Sequence, residues 1–268
     1  MKPSQIQTFN WLIVGSQRTG KTVTALYLAA MMQKVAFEHG KTRRVIIFNP
    51  QNYNPMFEKR ATIQASINLI AQGWRMPGVF RKISYQKIAE IAALKSNLFD
   101  WTIVTDGELK DFTNMVQHLR DFIIIFDDLN NIVKGNLASK SYKSLFSILA
   151  GNRIKSNEVM FTYHTFHQVP PSLWTYFQRS IVKETDDKEN GIGFKKIEKA
   201  QEALTKAQMQ VRADNKIKEY PERLRLSERI VWLNEAYIFE QVNGELLTKI
   251  GNVYYKAVMD DVQLFKPT

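Results

Sequence analysis

The sequence predicts an α/β fold with a mostly parallel central sheet flanked by helices. Three observations predict it. Short apolar runs of strand length alternate with helical stretches along the chain. An octapeptide bounded by glycines, Gly15-Ser16-Gln17-Arg18-Thr19-Gly20-Lys21-Thr22, sits between one such run and a long helix-like stretch. A second run, Phe122-Ile123-Ile124-Ile125-Phe126, ends directly in Asp127-Asp128.

The first run, Phe9-Asn10-Trp11-Leu12-Ile13-Val14, reads as a strand, and residues 23–37 read as a helix. The octapeptide between them spells G-x-x-x-x-G-K-[ST], the phosphate-binding loop, in the strand–loop–helix context that motif requires. Its glycines let the backbone wrap a phosphate, and the amides of the loop and of the helix N-terminus point at negative charge. In such a loop Lys21 reaches the β- and γ-phosphates and the Thr22 hydroxyl sits on Mg²⁺. Residues 15–22 are therefore the candidate nucleotide-binding segment, and ATP with Mg²⁺ is the expected ligand.

Further strand candidates are residues 44–48, 101–105, 122–126, 159–163 and 180–183. Residues 49–55 and 73–78 read as loops from their Pro, Gly and Asn content, with a helix over 56–71 between them. The run over 122–126 supplies the carboxylates a phosphate loop needs. Two acids at the C-terminal end of a buried strand stand where ligands bind in an open α/β sheet. Asp127 is expected to hold Mg²⁺. Asp128 is expected to polarise the attacking water, where many ATPases use Glu. The competing segment is Trp101-Thr102-Ile103-Val104-Thr105-Asp106 with Glu108 nearby, which offers two Thr within the strand and one Asp at its end.

The strand over 159–163 runs into His164. In many P-loop motors the strand beside the metal-binding one ends in a polar sensor of the γ-phosphate, and His164 stands in that position; the plainer alternative is a His satisfied in a turn. His167 is less well placed. Between these strands lies Arg153. A planar cation near the γ-phosphate accelerates phosphoryl transfer by several orders of magnitude and can come from a neighbouring subunit. Arg153 is the first candidate for such a finger and Arg179 the second; either could instead be solvated or face DNA.

At 268 residues the chain is long enough for one large domain or one domain with an appendage. Character changes at the charged turn Asp186-Asp187-Lys188-Glu189-Asn190-Gly191, which divides an expected ATPase core, residues 1–185, from an extension, residues 186–268. In the extension Ile197, Ala200, Leu204, Ala207 and Val211 form a helical stripe. Residues 188–229 carry eleven Lys/Arg against seven Asp/Glu, so that helix either packs on the body or forms a subunit contact or DNA-facing arm. Residues 230–258 are rich in Ile, Val, Tyr and Phe and contain Asn243-Gly244, a hairpin signal; strands closing the domain are expected there.

With no cysteine, disulfides, thiol catalysis and Cys-based metal sites are excluded, and a reducing compartment fits. The four histidines show no zinc spacing. No apolar run approaches the roughly 20 residues of a membrane span, and no signal peptide is expected at the N-terminus. The net charge of +11 is either general solubility or the footprint of a polyanion partner.

Three blocks in order carry a resemblance: Gly15–Thr22 with Arg18 inside the loop, Phe122–Asp128 ending in paired Asp, and Phe161-Thr162-Tyr163-His164-Thr165-Phe166-His167-Gln168-Val169-Pro170-Pro171. Over residues 9–185 the chain resembles the genome-packaging ATPases of the HerA–FtsK superfamily. It is most similar to the poxvirus-type branch shared with tailless, membrane-containing phages, whose members often carry a block like T-Q-S-Y-F-Q-V-P. Gln168-Val169-Pro170 matches the end of that block; His164 replaces the usual sensor Gln.

The resemblance implies a RecA/FtsK-like P-loop NTPase fold and an ATPase ring that threads viral DNA into a preformed capsid. ATP would bind between subunits, with Lys21, Asp128 and His164 from one copy and Arg153 from its neighbour. Phosphate-gripping loops would hold DNA without reading bases. Residues 131–143, with three Lys and a Gly, are expected either at the pore or as a plain connecting loop. A capsid or portal-vertex protein is the implied further partner, in the host cytoplasm or at the virion's packaging vertex. Two other readings stand beside this one: a zonular-occludens-toxin-like assembly ATPase, which would normally carry a transmembrane helix after the ATPase domain, and a nucleotide-dependent DNA-binding switch without steady translocation.

Overall fold

The apolar runs become the strands of one sheet. In the computed structural model, residues 8–17, 19–38, 41, 43–49, 79–82, 101–105, 107–129, 143–187, 198–216, 229–233 and 238–242 are described. In chain order the elements are β1 (Asn10–Val14), α1 (Lys21–Glu38), β2 (Arg44–Phe48), β3 (Val79–Lys82), β4 (Trp101–Thr105), α2 (Leu109–Val116), β5 (Phe122–Phe126), α3 (Lys143–Gly151), β6 (Glu158–Tyr163), β7 (Arg179–Val182), α4 (Glu198–Lys216), β8 (Arg229–Leu233) and β9 (Ile238–Val242). Short 3₁₀ turns at Phe166–Gln168 and Trp174–Tyr176 lie between β6 and β7.

The nine strands among the described residues are ordered β3-β4-β2-β5-β6-β1-β7-β8-β9. From β3 to β7 every pairing is parallel; β8 and β9 close one side antiparallel. The fully buried strands β1, β5 and β6 read as continuous apolar or nearly apolar runs because both of their faces are covered. Their registers align the ends that matter: Val14 pairs with Tyr163 on one side and with Val182 on the other, and Phe126 pairs with Phe161. The residues just beyond β5, β6, β1 and β7 therefore gather along one edge.

Six of the expected strands are present to within a residue or so, and α1 starts at Lys21, two residues before the expected position. β3 was not expected: Val79-Phe80-Arg81-Lys82 carries two apolar residues, too few for a pattern. β8 and β9 pair antiparallel with residues 234–237 between them, so the hairpin they form precedes Asn243-Gly244, which lies outside the described residues. The expected helix over 56–71, its flanking loops apart from Asn49, and most of the segment 131–143 also lie outside them.

An aromatic series runs through the core. Phe48 stacks on Phe112, Phe112 meets Phe126 edge to face, Phe126 stacks on Phe161 at 4.6 Å, and Phe161 meets Phe177 edge to face. All five rings are buried, and such pairs add to area burial by about 0.5–1.5 kcal/mol each. On α4 the expected stripe turns inward: Leu204, Ala207 and Val211 are buried, and the first two belong to the same cluster as the sheet residues.

The opposite edge, at the strand starts, is closed by a polar knot. Glu158 accepts from the Phe9 amide at 3.0 Å and from Trp11 Nε1 at 2.9 Å, and lies 3.4 Å from Arg43. Burial raises its pKa. The Arg179 guanidinium lies over the rings of Phe9 and Trp11.

Phe161 touches two partners of the aromatic series, and its loss leaves a cavity at the centre. Phe161→Ala is expected to destabilise the protein by about 3–5 kcal/mol. Urea unfolding with an unchanged slope checks this; a loss under about 1 kcal/mol would mean that the core closes over the gap.

Candidate functional site

The loop after β1 is fastened on both sides by the strands flanking it. The Gly15 amide donates to the Tyr163 carbonyl at 3.1 Å, and the Ser16 amide to the Glu184 carbonyl at 2.7 Å. With those two amides engaged, wrapping of an anion falls to the later part of the loop and to the N-terminus of α1. No acidic residue occupies the first turn of α1 to compete for that positive end. Gly15 is required by close approach, since a Cβ there would lie 2.6 Å from Thr19 Oγ1 and 2.7 Å from Lys183 Cβ. Gly20 is required by its φ of 79°.

Lys21 turns back into the loop, its ammonium donating to the Ser16 carbonyl at 2.8 Å. It is 7% exposed, and burial pulls its pKa down to about 8 against the opposing pull of Asp128 and Asp127. Thr22, one residue on, donates its hydroxyl to Asp127, 3.0 Å from each carboxylate oxygen. The phosphate loop and the end of β5 thus meet at one point.

Thr162 in β6 organises both aspartates. Its hydroxyl donates to Asp127 Oδ1 at 2.9 Å and accepts the Asp128 amide at 2.7 Å. The second bond holds Asp128 in a left-handed backbone conformation, φ 53°. Asp adopts that region more readily than most residues, but it still costs of the order of 1 kcal/mol or more. Asp128 Oδ1 faces His164 Nε2 at 3.1 Å. His164 is shifted below its ordinary pKa by burial first and by Lys21 second, with Asp128 pulling the other way, so the site favours the neutral imidazole. His167 points elsewhere and pairs through Nδ1 with the buried Asp187 at 2.6 Å.

The structure therefore brings together Gly15, Ser16, Thr19, Gly20, Lys21, Thr22, Asp127, Asp128 and His164 at one edge of the sheet. Gln17 is exposed on the loop, while Arg18 and the competing Asp106 lie outside the described residues. β4, which leads to Asp106, is separated from β1 by β2, β5 and β6. Arg153 is not brought to the site. It is exposed in the turn before β6, at the opposite edge, so it cannot reach the loop of its own chain. Arg179, the other finger candidate, begins β7 at that same far edge and is stacked on aromatic rings. Sequence reasoning missed one residue: Thr162 is a lone hydroxyl in an apolar strand.

No protein-family model matches the chain, and no curated protein does. Among solved structures it is similar to B204, the genome packaging NTPase of Sulfolobus turreted icosahedral virus 2, in its complex with AMP. The TM-score is 0.52 at 13% identity, covering 89% of this chain and 98% of that one. The fold is that of a P-loop NTPase. The AMPPCP complex of the same NTPase gives a TM-score of 0.52 at 12% identity, over 87% of this chain and 97% of that one. B204 described as the DNA-packaging ATPase of Sulfolobus Turreted Icosahedral Virus gives 0.51 at 14% identity, over 87% and 96%. The P-loop NTPase fold expected from the resemblance is thus met. Among the described residues no helix is long and apolar enough to cross a membrane.

Asp127 carries a cost that reveals its task. Burial raises its pKa from 3.8 to about 6 despite the hydrogen bonds from Thr162 and Thr22. The folded state binds this proton more tightly than the unfolded chain does. Ionisation therefore weakens the fold fully above about pH 6, and the penalty disappears below about pH 4. Asp127→Asn keeps an oxygen for both threonines and removes the penalty. It is expected to be more stable than the parent near pH 8, by roughly 3 kcal/mol, with the gain fading near pH 4. Paired thermal melts at the two pH values check this; a variant less stable than the parent at pH 8 would contradict it.

Proposed function

We propose that this chain is an ATP-hydrolysing, DNA-translocating motor that packages a viral genome into a preformed capsid. The ATPase reading is carried by one observation: Lys21, the Thr22–Asp127 pair and the Asp128–His164 pair converge at the mouth of a phosphate loop. The DNA and packaging reading is supported by the three sequence blocks, the net charge of +11 and the fold shared with the B204 packaging NTPases.

Lys21 binds the β- and γ-phosphates with an ammonium already turned into the loop. Thr22 and Asp127 fit Mg²⁺: they are hard oxygen donors meeting beside a phosphate site, and Mg²⁺ commonly takes one or two protein oxygens and the rest from phosphate and water. When bound, the ion neutralises charge on the terminal phosphates during transfer. Asp128 orients the attacking water and takes its proton as the water oxygen bonds to the γ-phosphorus and the bond to the ADP oxygen breaks. Neutral His164 holds Asp128 through Nε2 and senses the γ-phosphate. Arg153, at the far edge of its own chain, acts on a neighbouring copy's nucleotide, which makes hydrolysis depend on a ring. DNA is gripped by its phosphates without base reading, and a capsid or portal-vertex protein docks the ring, in the host cytoplasm or at the packaging vertex.

ATP turnover with and without double-stranded DNA tests the motor. Wild type is expected to hydrolyse ATP faster with DNA, with stimulation falling steeply as salt rises from about 50 to 200 mM. Lys21→Ala is expected to lose hydrolysis and most nucleotide binding. Asp128→Asn is expected to bind ATP but turn it over at least about 100-fold more slowly, about 2.7 kcal/mol in barrier. A slow rate that DNA leaves unchanged would favour the nucleotide switch instead.

The trans role of Arg153 has its own test. Arg153→Ala should bind ATP normally and hydrolyse it slowly, and specific activity of the parent should rise with protein concentration. Mixing Arg153→Ala with Lys21→Ala should restore part of the activity, since each lends the group the other lacks. A mixture that co-assembles and stays inactive removes Arg153 from the mechanism.

A further inference from the structure

We infer that Asp187 is the positioning residue for His164. Its buried carboxylate pins the turn after β6 so that the imidazole meets Asp128, and losing it slows ATP hydrolysis without weakening nucleotide binding. This rests on the reading of Asp128 and His164 as parts of a hydrolytic site.

Three observations carry it. The first is that the sheet stops short of His164. β6 ends at Tyr163, whose carbonyl accepts the Gly15 amide, so His164 is the first residue past the ladder and its placement depends on what holds the chain beyond it. The second is what holds that chain. Asp187 Oδ2 accepts the Phe166 amide at 2.8 Å; Oδ1 accepts the His167 amide at 3.4 Å and lies 2.6 Å from His167 Nδ1. His164 and Thr165 thus span the gap between a strand end and a carboxylate. The third is burial. The Asp187 side chain is 1% exposed, and a carboxylate is costly to bury unless its hydrogen bonds are made.

The carboxylate is itself fixed. The Asp187 amide donates to Thr185 Oγ1 at 3.3 Å, and its carbonyl accepts from Gln208 Nε2 at 3.2 Å and from Arg212 Nη2. The turn it holds is closed as well. The Thr165 amide donates to Gln168 Oε1 at 3.3 Å, the Gln168 amide donates back to the Thr165 carbonyl at 3.3 Å, and Phe166 is buried against Trp174. Asp186, the residue before, is among the charges acting on both His164 and Lys21, so the segment stands beside the site. His164 Nε2 in turn lies 3.1 Å from Asp128 Oδ1. A shift of the turn by about 1 Å breaks that contact, and misplacement on this scale costs up to about 100-fold in rate. A carboxylate offers one oxygen to each of two successive amides, whereas an amide side chain turns its NH₂ toward one of them.

The test is a double-mutant cycle on ATP turnover with Asp187→Asn, His164→Ala and the pair, beside titrations of non-hydrolysable mant-AMPPNP and thermal melts. Asp187→Asn is expected to lower kcat at least about 10-fold, with KM and mant-AMPPNP affinity within about 2-fold of wild type. In the His164→Ala background the same substitution is expected to add less than about 2-fold, because its effect runs through a residue no longer there. His167→Ala, which leaves both amide bonds in place, is expected to keep kcat within about 2-fold. Should Asp187→Asn lose its cooperative melt, Asp187→Glu, which keeps a carboxylate but displaces it, is read for the same quantities. Losses that add in the double variant would mark a structural role, and an unchanged kcat would remove Asp187 from the reaction; either outcome overturns the inference. If His164→Ala itself hydrolyses ATP like wild type, the reading of His164 fails and takes the inference with it. If only His164→Ala is slow, that reading stands and the role of Asp187 alone falls.

Discussion

The site depends on a carboxylate kept where water cannot reach it. Asp127 is 2% exposed, at the end of β5, and two threonine hydroxyls from different parts of the chain converge on it. Burial works against its charge, and the hydroxyls offset only part of that cost. A sequence selected for stability alone would place an apolar or amide side chain here. A buried carboxylate beside a phosphate loop is what a hard cation requires, so the instability and the chemistry have the same origin. Removing either threonine would change the ionisation of Asp127 as well as a contact.

Thr162 joins this constraint to the fold. β6 lies between the strand of the phosphate loop and the strand of the aspartates, so a side chain near its end can reach the residues beyond either neighbour. Its hydroxyl holds the Asp127 carboxylate and the Asp128 amide at once, and the next residue but one is His164. The strained backbone of Asp128 aims its carboxylate at that histidine rather than at bulk water. Below this polar layer Phe126 and Phe161 stack, fixing the spacing of β5 and β6. The polar geometry is thus as rigid as the aromatic core beneath it.

How much of the fold and site is legible in the chain depends on the range of each signal. The octapeptide is local, eight residues whose spacing is itself the structure, and the β5 run with its two acids is equally local. His164 was readable because a strand end is a position, and positions come from periodicity. Thr162 was not, because a threonine in an apolar strand is ordinary until its neighbours across the sheet are known. β3 is half polar and shows no alternation. Arg153 was judged by its place between two strands, which says nothing about which edge of a parallel sheet it occupies. The turn before a strand lies opposite the turn after it, and that parity excludes Arg153 from its own chain's loop.

The helix of the C-terminal extension packs on the body and is hydrogen-bonded to the short segment after β7. Asp187 accepts the Phe166 and His167 amides, fastening the loop after His164 to the loop after Lys183. Gln208 and Arg212 hold the same short segment from the α4 side, and Leu204 and Ala207 seat that helix in the main cluster. Thr185 and Asp187, bonded to α4, belong to the short segment whose Glu184 carbonyl accepts the Ser16 amide, and Asp187 reaches the loop of His164.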